Sequence, residues 1–447
     1  MFPPPTPASA PARPGSLWRS GKLWTALLAS ALVVLVVSAL ALVSRGGGSF
    51  PRAVGGPSAS ATPSGTPHPA GRLAQLLKAQ GEALVRGDEQ GWLAPIDPGN
   101  KKLYDQYRTQ FKVLRALKVS AWQVEMGIPP IVVPGAETDA RVMVAYCFST
   151  PQCPPFEQFQ GTAAQFTQDL KVRWGHDGTI LITESKPAEQ DRFETRPLPW
   201  ETGELTVREG RRVIVAAAAS QVHRLDEVLA AADRAAPIVD RYARLANREL
   251  PERYVVYLAG EREWRTWRGG VRGTWLYGYA YRVGLMTSQV VLRMKRLGKR
   301  DLPNVLRHEL GHVITATGSE PYGTSPFDKW LIEGIAEYIG RAGEAPSRTP
   351  RMGAVRAYVR GEGWPRSIKL APPDADASGL ELDAFYGLSH LAMSCLASRH
   401  GEAKLFPWWI DVVHGEVTDD EATRRHFGES WATMDKACLS YLRRVVG

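Results

Sequence analysis

Cysteine is scarce in this chain: its 447 residues include four, Cys147, Cys153, Cys395 and Cys438, none at C-x-x-C spacing. Four are too few to hold a miniprotein together, and the missing spacing excludes a thiolate zinc site or a dithiol redox centre. Two local disulfides and four buried thiols both remain open, and four cysteines allow three pairings. Aromatics are missing from the densest basic run, Arg293, Lys295, Arg296, Lys299 and Arg300. Without stacking partners that run reads as a solvated loop, and no nucleic-acid partner is expected despite a formal net charge of +9. No internal repeat is evident. The composition, 44% hydrophobic and 23% charged, is that of neither a compositional coil nor a multi-pass membrane protein.

Charge is absent altogether between 23 and 43, a run of Leu, Ala and Val broken only by Trp24, Thr25, Ser30 and Ser38. As a helix it would extend about 31 Å, against a hydrocarbon core of about 30 Å. The run predicts an uncleaved transmembrane helix; a signal peptide cleaved after Ala41 is the alternative. Residues 1–22 contain Arg13, Arg19 and Lys22 and no acid, which predicts a cytoplasmic segment. The expected localisation is therefore single-pass in the plasma membrane, with the bulk of the chain extracytoplasmic. The basic balance would then favour an anionic membrane surface. Residues 44–71 are rich in Pro, Gly and Ser and read as a tether.

From 72 to 185 the pattern is helices first and strands afterwards. Leu73, Leu76, Leu77 and Leu84 recur at helical spacing, though Gln80 and Gly81 interrupt the stripe, and a second helix is predicted over 101–117. Strands are predicted at 121–126, 140–148, 164–174 and 179–184, with His176, Asp177 and Gly178 as a hairpin turn. This arrangement resembles the nuclear transport factor 2-like cone, in which helices cover a bent sheet. Trp92, Asp97, Tyr104 and Tyr107 are read either as the lining of a ligand cavity or as core and helix-surface residues.

The chemistry-bearing residues lie further on. Residues 301–318 read DLPNVLRHELGHVITATG, with Asp301 as a candidate N-cap, Pro303 in the first turn and Gly318 as a stop. On such a helix His308 and His312 stand about 40° apart in azimuth and about 6 Å apart along the axis, so both imidazoles reach one ion. Glu309 is about 100° round from His308, close enough for a metal-bound water. Downstream, Trp330-Leu331-Ile332-Glu333-Gly334-Ile335-Ala336-Glu337-Tyr338 carries two carboxylates four apart on an apolar-rich helix. Buried among such neighbours, Glu333 and Glu337 require cations or hydrogen bonds.

Together these two segments resemble the gluzincin zinc metallopeptidases, the clan of thermolysin and the aminopeptidase N family, over roughly residues 200–447. The resemblance implies Zn2+ held by His308, His312 and Glu333, with Glu309 as general base and Glu337 orienting the first histidine. It also implies a further donor to the reacting carbonyl from the helical half; Tyr386 is the first candidate and His390 the second. A long helix over 222–250, a strand over 253–258 and another over 289–294 precede the metal helix, and in the clan such a sheet edge docks extended peptide. The Gly-x-Met-Glu-Asn signature that captures a free amine is absent: 278–283 reads GYAYRV, so strict aminopeptidase activity is not expected.

The expectation is thus an α+β chain with three parts: a single N-terminal transmembrane helix, a small helix-plus-curved-sheet domain, and a gluzincin-like catalytic domain. That catalytic domain would combine a mixed sheet edge, the His-Glu-x-x-His helix and a C-terminal helical subdomain. Its expected function is membrane-anchored, zinc-dependent peptide-bond hydrolysis, with peptides or proteins as substrates and a membrane contact through 23–43. The competing reading is a catalytically silent peptidase-fold binding protein of the cell envelope. The other histidines, His68, His176, His223, His400, His414 and His426, have no partner at ligand spacing.

Overall fold

The computed structural model describes residues 69–447 apart from 128–129, 151–162, 189–196, 268–275, 285–286, 317–327, 375 and 416. Residues 66–447 form one compact unit. It opens with helices α1 (Pro69–Arg86), α2 (Glu89–Leu93) and α3 (Lys101–Ala116). Four strands follow, β1 (Val119–Met126), β2 (Glu137–Phe148), β3 (Ala164–Trp174) and β4 (Ile180–Pro187), paired antiparallel in that order. Along β2 the residues Ala140, Val142 and Val144 turn inward while Arg141 faces out to pair with Asp169. This alternation is what one covered face requires. Both interruptions in the α1 stripe have local reasons. Gln80 donates to the Trp92 carbonyl at 2.9 Å, and a Cβ at Gly81 would stand 2.6 Å from the Trp122 carbonyl oxygen.

A second sheet has the order β5-β6-β7-β9-β8. Its strands are β5 (Leu205–Glu209), β6 (Val213–Ala218), β7 (Tyr254–Ala259), β8 (Gly278–Arg282) and β9 (Ser288–Arg293). β6, β7 and β9 run parallel, and the flanking β5 and β8 are antiparallel. Every residue of β6 and β7 is buried, because both faces are covered. Val213, Val215 and Val256 face one core together with helices α4 (Leu225–Leu245) and α6 (Leu302–Ala316). Ile214, Ala216 and Tyr257 face the other, which they share with the first sheet and its helices. There Trp122 packs within 5.5–5.8 Å of Trp92, Phe166 and Trp200, ring centre to ring centre. α5 (Glu261–Thr266) adds Trp264 to the same core.

The C-terminal half is helical: α7 (Lys329–Gly340), α8 (Met352–Gly361), α9 (Gly379–His400), α10 (Glu402–His414), α11 (Asp419–Phe427) and α12 (Trp431–Val446). A disulfide between Cys395 and Cys438 joins α9 to α12. Cys147 is also disulfide-bonded and Cys153 lies outside the described residues; among those described no cysteine is free, which removes the four-thiol alternative.

Three expectations are corrected. The transmembrane helix expected over 23–43 lies outside the described residues, and among those described no helix is long and apolar enough to cross a membrane. The fold class is therefore a mixed α/β arrangement with two sheets, and the transmembrane element and the single-pass plasma-membrane localisation are withdrawn. The strand expected over 289–294 is interior: β9 lies between β7 and β8, and the edge strands of the sheet are β5 and β8. The long helix is shorter than 222–250, because Ala219–Arg224 is a 3-10 turn and α4 ends at Leu245.

Candidate metal centre

The site is built where α6 crosses α7. Leu302, Leu306, Leu310 and Ile314 bury one stripe of α6 in the core beneath the second sheet, which turns His308 and His312 toward α7. Two glycines let the helices approach. A Cβ on Gly340 would lie 3.2 Å from the His308 Cβ and from the Asn304 carbonyl, and one on Gly311 would lie 3.4 Å from Ile339. Arg307 Nε donates to the Gly340 carbonyl at 2.9 Å and ties the end of α7 to α6. Asp301 ends the preceding turn, its carbonyl accepting from Asn304 and Val305.

At the crossing, His308 Nε2 and His312 Nε2 are 3.1 Å apart, and Glu333 Oε2 lies 3.5 and 3.4 Å from them. These three donor atoms all lie within 4.8 Å of one another. At such separations the carboxylate oxygen makes no formed hydrogen bond and is buried without a partner. Burial pushes the Glu333 carboxyl up, but His312 and His308 outweigh it and hold it well below the usual carboxylate range. Two imidazole nitrogens and one ionised, unsatisfied carboxylate oxygen form a donor set that fits zinc.

Around the donors, each remaining residue takes a separate place. Glu337 Oε1 is 3.4 Å from His308 Nδ1, so the ring is held from behind. Burial would raise Glu337, but Arg351 and His308 outweigh it and bring its pKa to about 2. Glu309 is 5% exposed, one carboxylate oxygen has no hydrogen-bond partner, and the carboxylate accepts from the Ala280 N–H on β8. Burial above all lifts its pKa to about 7. Gly278 makes room for it: a Cβ there would be 3.0 Å from Glu309 Oε1.

Tyr386 and His390 separate, although they are one turn apart on α9. The Tyr386 ring lies 6.3 Å from the His308 ring, and burial first of all keeps its hydroxyl protonated, well above the ordinary phenol value. His390 is 2% exposed, with Nδ1 unpartnered, among the charges of Glu337, Arg341, Glu344 and Arg351; burial lowers its pKa to about 4. Glu337 is the charge that acts on it most strongly, and it is not one of the converging donors.

On the helices that cover the first sheet, Trp92 and Tyr107 are core: Trp92 Nε1 donates to the Tyr107 carbonyl at 2.9 Å, and Asp97 pairs with Arg173. Tyr104 packs against the same core. His400, His414 and His426 have local partners in Glu429, the Thr315 carbonyl and Asp411.

The motifs did not point to Arg351, the residue preceding α8. Its Nη2 and Nε donate to Glu337 Oε1 at 2.9 and 3.2 Å. Separations of 14 residues from Glu337 and 32 from Asp383 leave no local periodicity to reveal it.

α7 must also sit close to α9. A Cβ on Gly334 would come within 2.9 Å of the Ser389 carbonyl oxygen and 3.1 Å of Met393. Gly334→Val is expected to destabilise the unit by about 1–3 kcal/mol through overpacking. Thermal denaturation checks the loss, and zinc titration of the folded fraction checks whether Glu333 has moved. Wild-type melting and affinity together would show that the helices have slack there.

Compared with known proteins, the chain matches no protein-family model and no curated sequence.

Proposed function

We propose that this chain is a zinc-dependent metallopeptidase that hydrolyses peptide bonds. The observation that carries the reading is the convergence of His308, His312 and Glu333 beside the unpartnered oxygen of Glu309. His308 and His312 would hold the ion through Nε2 and Glu333 through a carboxylate oxygen. A zinc ion in that position supplies Lewis acidity toward a carbonyl oxygen and acidifies water. Glu309 takes a proton from the attacking water at its free oxygen and returns it to the leaving amine. With its pKa near neutrality, the carboxyl suits both halves of that exchange. Tyr386, kept protonated by burial, donates its O–H toward the carbonyl oxygen as negative charge develops there.

Substrate backbone has an edge to use. The Tyr277 carbonyl and the Val283 N–H bond toward β9 or its turn, so by antiparallel alternation the backbone groups of Gly278 and the Ala280 carbonyl point away from β9, while the Ala280 N–H is taken by Glu309. An extended peptide would add to β8 as a further strand. The strand has no carboxylate to bind a free amine, so internal peptide bonds are the expected target.

Zinc analysis of the purified protein combined with cleavage-site profiling on a quenched-peptide library tests the reading. About one zinc per chain and chelator-sensitive cleavage are expected. Zinc without cleavage of any peptide would favour the silent binding fold; no zinc would remove the metallopeptidase reading.

A further inference from the structure

Arg351 reaches three groups around this site: Glu337, Asp383 and Tyr386. Its Nη2 and Nε both donate to Glu337 Oε1, and Glu337 Oε1 in turn lies 3.4 Å from His308 Nδ1. On its other side, Nη1 pairs closely with Asp383, and the guanidinium carbon stands 4.8 Å from the centre of the Tyr386 ring. Asp383 and Tyr386 are three apart on α9, hence on one face of that helix. The guanidinium therefore lies between two helices that share no covalent neighbourhood: α7, with Glu337, and α9, with Tyr386. Its own backbone is packed as well, since a Cβ on Gly387 would meet the Arg351 Cβ at 3.2 Å. One planar cation with donors along two edges and a face for an aromatic ring meets all three groups, which a lysine's single ammonium cannot do.

We propose that Arg351 is a positioning residue that sets the metal donor His308 and the hydroxyl of Tyr386 in one mutual register. On the α7 side its two donors hold the Glu337 carboxylate aimed at His308 Nδ1, which fixes the ring orientation that leaves Nε2 free to ligate. On the α9 side, the ion pair with Asp383 and the stacking against Tyr386 stop the phenol ring from swinging away from the His308 ring. Losing the guanidinium would loosen both groups at once, whereas losing Glu337 would loosen the histidine alone. The inference rests on the metallopeptidase reading, since it assigns a role toward the zinc and the reacting carbonyl.

The test compares wild type with Arg351→Met, Arg351→Lys and Asp383→Asn by two independent measurements. The first is zinc affinity of the metal-free protein, by competition with a chromophoric chelator. Arg351→Met is expected to bind zinc about 10–100-fold more weakly, as for loss of a group supporting a ligand. The second is kcat of the zinc-saturated protein, which is expected to fall by up to about 100-fold because the Tyr386 donor is misplaced. Asp383→Asn should lower kcat while leaving zinc affinity almost unchanged, because its contact is on the α9 side. Arg351→Lys should fall between wild type and Arg351→Met in both. Guanidinium ion added to an Arg351→Ala protein should restore part of the zinc affinity, and methylammonium less.

Thermal melting of each metal-free variant separates these effects from loss of fold. If Arg351→Met fails to fold, Arg351→Lys and Asp383→Asn decide. Wild-type zinc affinity and kcat in the folded variants overturn the inference, as does a loss of affinity in Arg351→Met with unchanged kcat in every variant. A wild type that binds no zinc overturns the metallopeptidase reading and this inference with it; a wild type that binds zinc and cleaves, with unaffected variants, overturns the inference alone.

Discussion

Glu309→Gln is expected to lower turnover by about 10³-fold or more while leaving the zinc content unchanged. The size follows from removing the proton acceptor altogether, since positioned acid–base groups contribute about 10²–10⁴-fold. Zinc should stay because Glu309 is not one of the three converging donors. The replacement also fits the space. Gln keeps the carboxylate's shape, its oxygen can still accept from the Ala280 N–H, and Gly278 leaves room on that side. A neutral amide is cheaper to bury than a carboxylate whose pKa burial has already raised to about 7, so the variant should melt no lower than wild type. Turnover on a peptide library, metal content and melting temperature check the three parts separately. Unchanged turnover would sink Glu309 as the base; lost zinc would mean that it supports the metal.

What could be read ahead of the structure was whatever has a short period. His308 and His312 share a helix face because they are four apart, and Glu333 and Glu337 do so for the same reason; both helices are present with those residues on the facing sides. The strands of the first sheet were legible because one face is core and the other is wet, so that Arg141 alternates with Ala140 and Val142. Periodicity stops at the element, however, and the order of strands in the second sheet depends on connections. Both 278–282 and 288–293 are short, and nothing in either shows that β8 folds back as a hairpin to take the edge from β9. The shared aromatic core was hidden for a related reason. Trp200 sits in a 3-10 turn between the two sheets, and its partners Trp122, Tyr146 and Phe166 come from three strands far upstream. Tyr386 and His390 show the limit within one helix: a single turn is enough for one ring to lie near His308 and the other to be buried apart from the converging donors.

Glu333→Gln should abolish tight zinc binding, and with it the zinc-dependent part of stability. The carboxylate is the one anionic donor in the set, and His308 and His312 hold it ionised at 3.4–3.5 Å. An amide of the same shape leaves a neutral site for a divalent ion. In wild type, a ligand that binds only the folded state adds about 4.1 kcal/mol when present at 1,000 times its Kd, so saturating zinc should raise the melting temperature and a chelator should lower it. In Glu333→Gln the two curves should coincide. The metal-free forms should melt close together, because the glutamine removes a buried charge as well as its attraction to two imidazoles. Comparison across the three glutamates gives the sharper test. Glu309→Gln should keep the full zinc-dependent shift, Glu337→Gln should reduce zinc affinity by the 10–100-fold usual for a supporting group, and Glu333→Gln should show no shift. That ranking follows from the geometry alone: a carboxylate beside the edge strand with its second oxygen unpartnered, an oxygen behind His308 Nδ1, and an oxygen within 3.5 Å of both Nε2 atoms. A wild type whose melting ignores both zinc and chelator would leave the convergence as a buried polar cluster and nothing more.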